Sequence, residues 1–272
     1  MNPDLDTLEE VLVSGIRDFM KKNHFSLAHL GFSGGIDSAL VAYLTVKAAG
    51  AENVIGFSMP SRFSSQGSKD DAAELAANLG CGYEILPIEE CYAAFLSTLK
   101  GVFAGKPFDL AEENLQARIR GILLMAYSNK FGSMLLATGN KSEIAMGYCT
   151  LYGDTNGALA PIGDLFKTEV FALCRRINER SSAAGGRNVI PQSTINKAPS
   201  AELRPNQKDE DSLPPYEDLD SILELHLHQK LSRDEIVKKG WNAELVDRII
   251  KTINRMEFKR RQLPPVIEVS RH

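Results

Sequence analysis

An apolar run, Leu27-Ala28-His29-Leu30-Gly31-Phe32, passes directly into Ser33-Gly34-Gly35-Ile36-Asp37-Ser38 and then into a helix-forming segment. A strand, a tight glycine turn and a helix are thereby written into one short stretch, and few folds accept that succession. The paired glycines let backbone amides approach phosphate oxygens with no Cβ in the way, while the helix turns its unpaired N–H groups and positive dipole end to the same point. A carboxylate beside phosphates repels them unless a cation lies between, so Asp37 is expected to hold Mg2+ on a bound triphosphate. A Walker A loop is excluded, because it needs a Lys on the β and γ phosphates and the segment from Gly31 to Ser38 contains none. A simple tight turn would explain Gly34 and Gly35 alone. Two serines and an aspartate crowding the same turn point instead to a nucleotide.

Strands and helices alternate along the rest of the first half. Leu5, Leu8, Leu12, Ile16 and Phe19 share one face at helical spacing, and a second helix is expected from Ser38 to about Ala48. Further strands read as Val54–Met59, Tyr83–Leu86 and Met134–Ala137, with an Ala-rich helix around Asp70–Leu79. Strands spaced by such helices make right-handed βαβ units. The expectation is an α/β fold: a Rossmann-like parallel sheet with helices on both faces and a C-terminal helical extension. With 272 residues, 43% of them hydrophobic, one domain spanning 1–272 is expected, its α/β core over about 5–200 and its C-terminal helices over about 215–262. Those helices run from Tyr216 to about His228, from a capped start at Ser232-Arg233-Asp234-Glu235, and from Asn242 to Phe258, with Leu223, Leu227 and Ile236 as packing residues.

A net charge of -4 gives no global pull toward nucleic acid or an anionic membrane. The N-terminus, Met1 to Asp6, lacks the regions of a signal peptide, and no apolar run reaches membrane-spanning length, so a cytoplasmic protein is expected. Cys81, Cys91, Cys149 and Cys174 have no C-x-x-C pairing or metal-ligand spacing and read as small buried residues.

Ligands of parallel sheets gather at the carboxyl ends of strands, which brings three loops to one rim. They are Ser33–Ser38, the Ser-rich Pro60–Gln66, and Thr138-Gly139-Asn140-Lys141-Ser142-Glu143. In the last, Thr138 offers a base contact, Lys141 a phosphate charge, and Glu143 a second Mg2+ ligand beside Asp37.

Ser33 to Ser38 resembles the signature of the ATP pyrophosphatases, which cleave ATP between the α and β phosphates. Glu112 to Gly121, Thr138 to Glu143, Leu151-Tyr152-Gly153-Asp154, Lys167-Thr168, Lys197 to Leu203 and Glu257 to Gln262 narrow the resemblance, in order, to NAD synthetase and in detail to the synthetase domain of its glutamine-dependent subtype. The resemblance implies a ligase that adenylates the nicotinate carboxylate of deamido-NAD+ and lets ammonia displace AMP. Matching positions give ATP to Gly31, Phe32, Ser33, Gly34, Gly35, Ile36, Asp37, Ser38, Thr138, Lys167 and Ser200, and Mg2+ to Asp37 and Glu143. Deamido-NAD+ falls to Asn114, Arg118, Glu143 and Lys259, and the catalytic roles to Asp37, Lys167 and Glu143. Leu151, Ala158 and Phe258 depart from the ammonia-dependent subtype, which has Lys, Asp and commonly His there, so those contacts do not transfer. The resemblance also implies a homodimer. No Cys-Glu-Lys glutaminase centre is expected in this stretch, which leaves free ammonia, or a separate glutaminase partner, as the nitrogen source. The segments Ser61–Ser68 and Ala198–Pro215 are expected to act as mobile lids that keep water from the adenylate.

Overall fold

The computed structural model describes residues 4–269, so Met1–Pro3 and Ser270–His272 lie outside the described residues. Helix α1 (Leu5–Lys22) begins on Asp4, whose carboxylate accepts the Thr7 N–H, and it buries Leu8, Leu12, Val13, Ile16 and Met20. Its basic last turn, Lys21 and Lys22, faces the negative end of the dipole. Strand β1 (Ala28–Gly31) leads into α2 (Ile36–Ala49), which is apolar around most of its girth because it lies between the sheet and α1. Next come β2 (Val54–Ser58), α3 (Gln66–Leu79), β3 (Gly82–Ile85), α4 (Glu89–Leu99), α5 (Leu110–Phe131) and β4 (Met134–Leu135). A capping box at Asp109 and Glu112 starts α5, and Gly132 in the left-handed region ends it.

All four strands pair in parallel in the order β3-β2-β1-β4, with Ala28 opposite both Val54 and Met134. The chain therefore grows outward from β1 to one side and then returns to add β4 on the other. That reversal opens a crevice beyond the carboxyl ends of β1 and β4, where the glycine turn and Thr138–Glu143 begin. The expected fourth strand is shorter than Met134–Ala137: only Met134 and Leu135 pair with β1, and Leu136 forms an isolated bridge to Leu159.

The remaining helices are α6 (Lys141–Met146), α7 (Lys167–Ala183), α8 (Gln192–Asn196), α9 (Tyr216–Leu223), α10 (Arg233–Lys238), α11 (Ala243–Arg255) and α12 (Glu257–Arg260). Leu219, Ile222, Leu223, Ile236, Val246, Ile249 and Ile253 form an apolar cluster with Phe166 and Met146, and Leu227 packs against it. Each fully buried Leu or Ile contributes on the order of 1.5–3 kcal/mol. The α-helix expected to reach His228 stops at Leu223 and continues as a π-helical segment, Glu224–His228. The helix expected from Asn242 to Phe258 is broken at Met256, whose side chain sits where a Cβ on Gly147 would fall. Beyond α12 the extension is not helical, because residues 263–269 return to the sheet side. Ala160 donates to the Pro265 carbonyl at 2.9 Å and Val269 to Asp164 Oδ2 at 2.9 Å. Cys174 is buried in the main core and Cys81 and Cys149 are half-buried, but Cys91 on α4 is exposed, contrary to the expectation for all four. Among the described residues no helix is long and apolar enough to cross a membrane.

Candidate functional site

The crevice predicted by strand order holds a cavity of about 550 Å³. Its floor is the turn that follows β1. Gly34 has φ +76°, and a Cβ there would lie 2.2 Å from the Ser68 carbonyl oxygen, so both its conformation and its surroundings demand glycine. Ser33 Oγ accepts the Gly35 N–H at 3.1 Å and lies 3.0 Å from Ser38 Oγ, which donates to the Gly35 carbonyl at 2.9 Å. The two serines thus brace the turn from inside. Gly35 caps α2 without a side chain, which leaves the first amides of that helix to an anion.

At one end of the cavity Lys167 Nζ lies 2.5 Å from Asp37 Oδ2 and 3.0 Å from Glu143 Oε1. Asn140 Nδ2 donates to the other Asp37 oxygen at 2.8 Å, and its own Oδ1 caps α6 by accepting the Glu143 N–H. One asparagine therefore sets both carboxylates. Lys167 is the first residue of α7, whose opening amides are held by Ser142 Oγ and Asp220, and Ser142 also donates to Asp220. Asp209 joins from the long loop after α8. Its Oδ2 accepts the Tyr216 hydroxyl at 2.9 Å, and its Oδ1 is buried with no partner.

Burial drives the Glu143 carboxyl up to about 7, reinforced by Asp37 and Asp209 and opposed by Lys167. Burial likewise raises Asp209. For Lys167, burial works against the charge, but Asp37 and Glu143 outweigh it and hold the ammonium well above the ordinary lysine range. Three acids around one ammonium leave the cluster short of positive charge. Mg2+ binds through one or two carboxylates plus phosphate oxygens, and the donor set here, Asp37 and Glu143 with the orphaned Asp209 oxygen beside them, fits that demand.

The roof is two loops fastened together. Glu202, at φ +48°, accepts the Ser65 N–H at 3.1 Å and the hydroxyls of Ser65 and Ser68 at 2.8 and 2.7 Å. Lys197 donates to Ser68 Oγ at 2.9 Å and to Asp71 at 2.9 Å. The segments read from sequence as two lids are here one covering.

Gly31, Phe32, Ser33, Gly35, Ile36, Asp37, Ser38, Thr138, Glu143, Lys167 and Ser200 all line this cavity, and Gly34 lies beneath Ser68. Ser200 Oγ also donates to the Gln207 carbonyl within its own loop. Asn114, Arg118 and Lys259 do not line it. They converge on the segment 147–151: Asn114 Oδ1 accepts the Thr150 hydroxyl at 2.7 Å, Arg118 Nε donates to the Leu151 carbonyl at 3.2 Å, and Lys259 Nζ donates to the Gly147 and Cys149 carbonyls at 2.8 and 2.7 Å. Lys141, expected as a phosphate charge, turns away from the cavity to Asp164 at 2.5 Å and to His228, and lies over the Phe166 ring. Sequence reasoning missed Asn140, Arg120, Lys197, Glu202 and Asp209. Asn140 sat inside a loop already singled out, and its position before a helix start was the available signal. Asp209 stands in an acidic run beside Glu210 and Asp211, where nothing in sequence separates it from its neighbours.

The family model described as NAD synthase matches residues 8–264. The chain belongs to the NAD synthase family. It is 51% identical over 267 residues to a glutamine-dependent NAD(+) synthetase of Synechocystis, covering 98% of this chain and 47% of that protein. Among solved structures, an NH3-dependent NAD synthetase from Campylobacter jejuni superposes with a TM-score of 0.75 at 28% identity, over 98% of this chain and 99% of that one. An NMN synthetase from Francisella tularensis gives a TM-score of 0.78 at 26% identity, over 99% and 98%. The chain spans about half the length of the curated NAD synthetases it matches.

Proposed function

We propose that the protein is an ATP-dependent, carbon-nitrogen-forming ligase that converts deamido-NAD+ to NAD+ with ammonia. The observation that carries this reading is the Asp37–Lys167–Glu143 cluster at the mouth of a glycine turn that has no Walker lysine. A carboxylate is a poor acyl donor, because ammonia would have to expel oxide. In the proposed reaction the nicotinate oxygen attacks the α phosphorus of ATP and the α–β bond breaks to release pyrophosphate. Ammonia then attacks the acyl carbon, loses a proton, and expels AMP.

The amides of the turn from Ser33 to Ser38 receive the phosphates, while Lys167 supplies positive charge that needs no reorganisation as the transition state forms. Asp37 and Glu143 would hold Mg2+, whose positive charge neutralises the departing pyrophosphate. Thr138 and Ser200 complete the ATP side. Asn114, Arg118 and Lys259, gathered around residues 147–151, form one wall of the deamido-NAD+ site, and Glu143 meets the substrate from the cavity side. Orienting the two reactants contributes about 7–11 kcal/mol in well-aligned cases. The Glu202-tied roof excludes water, which would otherwise hydrolyse the adenylate.

A homodimer goes with this reading. Asn114, Arg118, Ile122 and Met125 follow one another on one face of α5, and Ile122 and Met125 are exposed apolar residues that a second copy would cover. The same reading has the protein work in the cytoplasm on small-molecule substrates, without nucleic acid or membrane as partners. Ammonia comes from solution or from a glutaminase.

Incubation with ATP, Mg2+, deamido-NAD+ and ammonium is expected to yield NAD+, AMP and pyrophosphate in equal amounts. ADP as product, or no turnover, would overturn the proposal. The same assay with glutamine in place of ammonium, and with nicotinate mononucleotide in place of deamido-NAD+, tests the nitrogen source and the size of the acceptor.

A further inference from the structure

Arg120 lines the same cavity as Asp37, Glu143 and Lys167, yet the reaction scheme above gives it no task. Its Nε donates to the Met59 carbonyl at 2.9 Å, which fixes the guanidinium plane just beyond the carboxyl end of β2. The Met59 methyl in turn lies 3.3 Å from the place of a Cβ on Gly31, so the anchor stands against the start of the glycine turn. Among the described residues Arg120 forms no ion pair and no second hydrogen bond. Glu202 and Asp154 act on it only at longer range, and burial pushes its pKa down to about 10. A guanidinium presents five N–H donors in a rigid fork that matches two oxygens of a phosphate or carboxylate. Leaving most of that fork without an acceptor in a half-buried wall is costly, and the cost is relieved when an anion enters. Lys167 is the contrast, since its ammonium is already taken up by two carboxylates.

We propose that Arg120 is a further substrate-binding residue whose fork receives oxygens of the ATP phosphate chain. The inference rests on the nucleotide reading above and adds a residue to it. A phosphate is favoured over the carboxylate of the second substrate by position. Arg120 is anchored beside the glycine turn, while Arg118, two residues away and so on another face of α5, reaches the 147–151 segment.

The test compares the unmodified protein with Arg120→Gln and Arg120→Lys. Calorimetry reads the affinities for α,β-methylene-ATP with Mg2+, for adenosine and for deamido-NAD+, and steady-state kinetics reads KM for each substrate. Arg120→Gln is expected to weaken the ATP analogue and raise KM for ATP about tenfold or more, with adenosine and deamido-NAD+ affinities unchanged. Arg120→Lys, which keeps the charge and loses the fork, is expected to fall between, and it decides the matter if Arg120→Gln does not fold. Loss confined to deamido-NAD+ would reassign the fork to the carboxylate and overturn the inference. Equal loss for adenosine and the analogue would mark a structural role and overturn it too, as would no change. An unmodified protein that binds the analogue but makes no NAD+ would sink the functional reading and leave the Arg120 comparison standing.

Discussion

The residues that follow β1 and β4 meet one another, whereas those carried by α5 and α12 meet one short loop segment. Asp37, Asn140, Glu143 and Lys167 form a closed set of side-chain contacts at the end of a four-stranded sheet. Asn114, Arg118 and Lys259 each contact the single segment 147–151, and among the described residues no hydrogen bond joins them to one another. In the first set, strand order brings Asp37, Asn140 and Glu143 together, and the start of α7 adds Lys167. The second depends on how a loop and two helices settle, and on the exposed face of α5.

The largest effect should come from the first set. Asp37→Asn is expected to keep the fold and lower NAD+ formation by about 10²–10³, in line with removal of one group that stabilises transition-state charge. A circular dichroism melt alongside the AMP and NAD+ assay checks both halves, and near-normal turnover would mean the metal is misplaced. Arg118→Ala should be milder and different in kind. It is expected to raise KM for deamido-NAD+ about tenfold with KM for ATP unaltered, as for loss of one charged hydrogen bond. If KM for ATP moved instead, the division between the two sets would be broken.

Glu202→Ala tests the roof that joins them. With Ser65 and Ser68 released, water should reach the adenylate, so that AMP accumulates in excess of NAD+. An unchanged ratio of one would show that the roof does not exclude water. Ile122→Glu is expected to shift sedimentation toward monomer while leaving binding of α,β-methylene-ATP intact.

The smallest effect is in the pH dependence of the metal-free protein. Glu143 titrates at about 7 in the folded chain against 4.5 for the free side chain, so the folded state binds the extra proton between those values. Stability from that proton is present below the lower value and is lost as pH rises through the upper one. Urea midpoints in EDTA should therefore fall between about pH 5 and 7 relative to those of Glu143→Gln. Parallel pH profiles would remove the burial of Glu143 from the account.

The same division explains what could be read from sequence. The glycine turn, α1 with its buried Leu8, Leu12 and Ile16, and the meeting of Ser33–Ser38 with Thr138–Glu143 follow from local pattern and strand order, so they were legible. Lys167 is one of 31 basic residues and entered only through family resemblance, since its partner Asp37 is 130 positions away. The Ser65–Glu202 tie spans 137 positions and joins two segments that each look like solvated loop. Lys141 misled for the opposite reason. It stands in the right loop, but as the first residue of α6 it points to Asp164 and His228. The return of residues 263–269 carries no periodicity of its own and is fixed by the main chain of Ala160 and the carboxylate of Asp164.

Ser68 links two ideas that sequence keeps apart. Its carbonyl oxygen presses on Gly34 so closely that a single methyl at that glycine could not be seated, and its hydroxyl is gripped by Glu202. The residue is therefore shared: its main chain walls the peptide that shapes the anion cradle, and its side chain holds the covering loops. The shape of the anion cradle and the position of the roof are thus set at one residue.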